Sequence, residues 1–118
     1  MANHRQTGGP YLAGVELGGT KCICVLADTS GAIFARERVA TGHPSETLSR
    51  IETVLHGWRR EHDIAAIGIA SFGPLDTDPA SANYGQLLAT PKPGWAGADL
   101  HRLLWDIPFL IDTDVNGA

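Results

Sequence analysis

The chain has 118 residues, 43% of them hydrophobic, which suits one soluble domain with a modest core. A formal net charge of −4 without any basic run argues against nucleic acid or an anionic membrane as the main partner, and leaves room for a small anionic ligand. No apolar stretch approaches the roughly 20 residues that span a bilayer, and Met1 to Pro10 reads as a flexible polar tail without a signal-peptide core, so the expected location is cytoplasmic.

Tyr11 to Leu17 alternates apolar with other residues and predicts a strand. Lys21 to Asp28 is nearly all apolar and predicts a buried strand, and Ala32 to Ala40 alternates again, with Arg36 and Arg38 on one face. Between the first two lies Gly14-Val15-Glu16-Leu17-Gly18-Gly19-Thr20-Lys21. Paired glycines let the chain turn tightly and let backbone N–H groups approach an anion, while Thr20 and Lys21 add a hydroxyl and a cation. The order G-T-K and the strand that follows exclude the Walker loop, which needs G-K-[ST] leading into a helix. The same glycine pair also suits an ordinary hairpin, and the residues alone leave both readings open. Cys22 and Cys24 share a face of the second strand, lack partners to complete a metal site, and read as buried free thiols.

Asp28-Thr29-Ser30-Gly31 supplies the next turn. Pro44 and Glu46 open a helix in which Leu48, Ile51, Leu55 and Trp58 recur every three or four residues, with Arg59, Arg60 and His62 near its negative end. Ala65 to Ser71 and Pro108 to Asp112 have the length and apolarity of strands, and Asp99 to Trp105 that of a short helix. Asp76 to Ala98 is rich in Pro, Gly, Ser and Thr, with a hairpin strand expected at Gln86 to Ala89. Within it, two prolines stiffen Thr90-Pro91-Lys92-Pro93-Gly94-Trp95, whose tryptophan could stack on a ligand face. The residues by themselves favour Trp95 packed down as an anchor.

Asp112 and Asp114 end an apolar strand, where a carboxylate is well placed as a general base beyond the strand ends of an open α/β sheet. Asp112 to Gly117 also matches the first half of a calcium-binding EF-hand loop, but no incoming helix precedes it and no bidentate Glu follows. The five histidines show no metal spacing with each other or with the cysteines, so no metal ligands are expected on this chain.

Four segments then occur in one order: Glu16 to Lys21, Gly68 to Asp76, Thr90 to Trp95, and Asp112 to Asn116. In order and spacing this resembles the ROK family of sugar kinases, above all its fructokinase branch, which is similar in having Glu at the position of Glu16 and the T-P-K-P-G-W segment. The resemblance implies an α/β, actin-like, ribonuclease H-like fold, with residues 11–118 as the first lobe, a mixed five-stranded sheet with helices. ATP and magnesium would lie in a cleft, and fructose would be phosphorylated to fructose 6-phosphate. Position by position, Gly18, Gly19, Thr20 and Lys21 would border the β- and γ-phosphates, Glu16 would lie near the magnesium ion or its waters, and Asp114 would be the catalytic base. Gly73 and Pro74 would turn at the sugar pocket, Thr90 to Trp95 would line the cleft, and Thr113, where many relatives have Asn, would approach the sugar. The family's adenosine-binding glycines, further sugar ligands and zinc cluster would lie after Ala118, so the chain alone is expected to be inactive; relatives are often dimers. The alternatives are a mannokinase or glucokinase of the same family, or a non-catalytic sugar- or phosphate-binding assembly module. A transcriptional regulator of the family would need a DNA-binding domain that the residues before Tyr11 cannot supply.

Overall fold

Alternation along the strands decides which side of the sheet is buried. The structure is a computed structural model that describes residues 10–90, 92–103 and 107–113. Strands β1 (Tyr11–Leu17), β2 (Lys21–Asp28) and β3 (Ile33–Ala40) form an antiparallel meander. Helix α1 (Pro44–Glu61) then leads to β4 (Ile64–Ser71), which returns parallel to β1. A short 3-10 helix (Leu100–Leu103) precedes β5 (Phe109–Thr113), parallel to β4. The sheet order is β3-β2-β1-β4-β5. This is the predicted five-stranded mixed sheet, with ends that differ from the sequence reading by a residue or so.

Tyr11, Ala13, Val15 and Leu17 of β1, Cys22, Cys24 and Leu26 of β2, and Ile67 and Ile69 of β4 point to one face and are buried. Leu48, Ile51 and Leu55 of α1 join the same core, each stabilising the fold by about 1.5–3 kcal/mol through loss of water-exposed apolar surface. Pro44 occupies the first turn, where its missing N–H costs nothing, and the backbone N–H of His62 closes the other end on Trp58 O at 2.8 Å. The thiols of Cys22 and Cys24 are free and buried; burial pushes Cys24 up to about 12 and also raises Cys22, so both stay protonated and inert at neutral pH.

Two expectations change. Gln86 to Ala89 is not a hairpin strand but two isolated bridges, Leu75 with Leu87 and Gln86 with Asp99. The segment bonds a different neighbour on each side: Leu87 N donates to Ala98 O and Leu87 O accepts Gly97 N, while Leu88 N donates to Pro74 O and Gln86 O accepts Asp76 N, so no ladder continues along either one. The short helix is a single 3-10 turn over its described part, started by Asp99 Oδ1 accepting His101 N at 2.9 Å; Trp105 lies outside the described residues. No helix is long and apolar enough to cross a membrane among the described residues.

Candidate active site

Because β1, β4 and β5 run parallel, their C-terminal ends meet at one edge, with Leu17, Ser71 and Thr113 in register. The turn Gly18-Gly19-Thr20 leaves the sheet at that edge. Gly18 N donates to Lys21 O at 3.0 Å, and a Cβ on Gly18 would sit 2.6 Å from that same oxygen, so only glycine fits. Neither glycine of the pair has a positive φ, so what position 18 requires is close approach rather than a left-handed backbone.

The tip is polarised. Its carbonyls are all engaged: Gly18 O accepts Thr41 Oγ1 at 2.8 Å, Gly19 O accepts Lys92 Nζ at 2.7 Å, and Thr20 O accepts Thr41 N at 3.0 Å. The N–H groups of Gly19 and Thr20 have no partner among the described residues, and both residues are exposed. In a trans peptide the N–H points opposite to the C=O, so fixing the carbonyls aims the free donors outward. Successive free N–H groups of this kind attract anions. A Cβ on Gly19 would meet nothing within 4 Å, so the chain's own packing does not require glycine there.

Glu16 and Lys21 flank the tip and are exposed on the face opposite α1. The register Glu16–Ala70–Asp112 puts a second carboxylate on that face, two strands away. One exposed carboxylate and the Thr20 hydroxyl are hard oxygen donors, which suit a magnesium ion that keeps most of its waters.

Beyond β4, the peptide between Gly73 and Pro74 is cis, and a Cβ on Gly73 would lie 3.6 Å from Thr113 Cγ2, so this turn abuts the end of β5. Pro74 O accepts Leu88 N at 2.9 Å. Thr90 Oγ1 accepts Lys92 N at 3.3 Å, at the start of the loop that reaches Gly19. Trp95 is 0% exposed. Its indole N–H donates to Gly42 O at 2.9 Å, and its ring meets Phe72 edge-on at 5.3 Å.

The sequence model of the ROK family matches residues 12–118. This chain belongs to the ROK family. It is 39% identical over 107 residues to a fructokinase of Streptococcus mutans, covering 88% of this chain and 36% of that one. It is 41% identical over 109 residues to a fructokinase of Zymomonas mobilis, again covering 88% and 36%. The chain thus spans little more than a third of the length of these relatives. Among solved structures, a ROK family glucokinase from Streptomyces griseus in complex with glucose and AMPPNP superposes with a TM-score of 0.71 at 26% identity, over 90% of this chain and 34% of that one. A glucokinase from Balamuthia mandrillaris gives 0.72 at 18% identity, over 98% and 33%, a likeness of fold. The sheet is that of the actin-like ATPase fold shared by these kinases.

In this ROK chain, Glu16, Gly18, Gly19, Thr20 and Lys21 line the hairpin, and Gly73, Pro74 and Thr113 gather at the neighbouring strand ends. Thr90 connects to them through Lys92. Trp95, expected from the resemblance to line the cleft, is turned into the core, and its ring holds the loop to the residues before α1. Asp114 lies outside the described residues, immediately after the last residue of β5. Sequence reasoning passed over Lys92, although it is the one cation in T-P-K-P-G-W.

Proposed function

We propose that this chain is the nucleotide-phosphate side of a sugar kinase that phosphorylates a hexose from ATP, with fructose as the preferred acceptor. The observation that carries the reading is the hairpin tip, whose free N–H groups at Gly19 and Thr20 face outward while distant residues hold its carbonyls. In this reading the β- and γ-phosphates rest on Gly18 to Lys21, and Lys21 balances their charge. Magnesium, held near Glu16 through its waters, would neutralise charge on the phosphates. Asp114 takes the proton of the attacking sugar hydroxyl, and Gly73, Pro74, Thr90 and Thr113 shape the sugar side. Positioning and charge neutralisation supply most of the rate in such a transfer. Preference for fructose is supported by relatives described as fructokinases at 36–41% identity. The remaining length of those relatives would form the opposite wall of the cleft, so the 118-residue chain by itself should not turn over.

The test is hexose-dependent ADP release by the full-length polypeptide carrying this lobe, with fructose, mannose and glucose compared. Fructose should give the highest kcat/KM, and Asp114→Asn should lower kcat by about 100-fold or more, with ATP affinity nearly unchanged. No release with any hexose would sink the kinase reading, and unchanged turnover in the variant would remove Asp114 from the chemistry.

A further inference from the structure

We infer that Lys92 is a positioning residue that acts on the phosphate site through the Gly19–Thr20 peptide; this rests on the proposed phosphate-binding role of the hairpin. The ammonium of Lys92 donates to Gly19 O at 2.7 Å across 73 residues of sequence. That carbonyl and the free N–H of Thr20 belong to one planar peptide, so a bond to the first fixes the direction of the second. A cation on the carbonyl also polarises the amide and makes its N–H a stronger donor. Thr41 holds the carbonyls of Gly18 and Thr20, but the peptide between them is held by Lys92. Lys92 is carried by a loop that Trp95 pins to Gly42 and that begins at Thr90, so its reach depends on the sugar-side loop being seated. The hairpin and that loop therefore form one unit. A sugar that orders Thr90 to Trp95 would set the donor at Thr20, linking acceptor occupancy to phosphate binding.

The experiment follows inorganic tripolyphosphate binding to the 118-residue chain by amide NMR, in wild type, Lys92→Met and Lys92→Arg, at about 0.1 M and about 1 M salt, where charges are screened beyond about 10 Å and about 3 Å respectively. Lys92→Met should shift the Thr20 amide resonance in the free protein and weaken tripolyphosphate about tenfold at both salt concentrations. Lys92→Arg should restore most of both. An unmoved Thr20 resonance, or a deficit that vanishes at high salt and so reflects charge acting through space, overturns the role of Lys92. Failure of the wild-type chain to bind, with the Thr20 shift intact, overturns the phosphate reading and this inference with it.

Discussion

The two turns at the ends of β2 both contain glycine and both join antiparallel strands, yet they satisfy their backbones in opposite ways. The β2–β3 turn closes on itself: Asp28 Oδ1 accepts Ser30 N, Ser30 Oγ and Ala32 N, Asp28 N bonds Ala32 O, and Gly31 takes the left-handed φ of +93°. The β1–β2 turn leaves two N–H groups without a partner among the described residues and relies on Thr41 and Lys92, both distant in sequence, to hold its carbonyls. The β2–β3 turn draws its bonds from within residues 28–32, and of its N–H groups only that of exposed Thr29 has no partner among the described residues. The β1–β2 turn, kept open by outside supports, has donors available for a ligand.

Breaking the outside supports should have the largest effect. Trp95→Ala removes a buried ring and leaves Gly42 O without its donor, so stability should fall by about 3–5 kcal/mol in urea denaturation. Tripolyphosphate binding should weaken as well, because the loop bearing Lys92 loses its anchor. A loss below about 1 kcal/mol would show that the loop is held by other means.

The glycine pair sharpens the contrast within one turn. Gly18→Ala places a Cβ 2.6 Å from a backbone oxygen that cannot swing away, and should cost about 1–3 kcal/mol. Gly19→Ala meets open space without a positive φ, so stability should change by less than about 1 kcal/mol, and any gain would come from a less flexible unfolded chain. Its tripolyphosphate affinity should nonetheless drop about tenfold, because the methyl group sits beside the free donors. Equal stability losses at 18 and 19, or an unaltered affinity in Gly19→Ala, would remove the reason for calling position 19 a ligand contact.

Much of this was legible in the chain. Alternation at Tyr11, Ala13, Val15 and Leu17 gave β1, the three-and-four spacing of Leu48, Ile51 and Leu55 gave α1, and G-G-T-K marked the hairpin, because periodicity is a local property. The supports were not legible. The Lys92–Gly19 bond joins residues 73 apart, and no local pattern encodes which carbonyl a lysine reaches. The bridges at Gln86 and Leu87 looked like a strand because their residues suit one, whereas the backbone there shares its bonds between Pro74 and Asp76 on one side and Gly97 and Ala98 on the other. For the tryptophan after the two prolines the residues by themselves favour an anchor over a ligand platform, and the bond to the Gly42 carbonyl with full burial of the ring agrees with the anchor.

The self-contained turn gives the smallest expected effect and a pH signature. Hydrogen bonds from the Ser30 side chain, and then from the backbone N–H groups of Ala32, Ser30 and Gly31, hold the Asp28 carboxyl below its ordinary value of 3.8. A carboxyl whose folded pKa is depressed adds stability that is fully present above its unfolded value and is lost as pH falls through the folded one. Asp28→Asn keeps the side-chain geometry and removes the charge, so it should lower the melting temperature slightly at pH 6, with the gap to wild type closing as pH falls below 3.8. Binding of tripolyphosphate should be untouched, since the two turns stand at opposite ends of β2, about 25 Å apart. A gap independent of pH would mean that the turn draws on the geometry of Asp28 rather than on its charge, and a change in phosphate affinity would mean that the two ends of β2 are not independent.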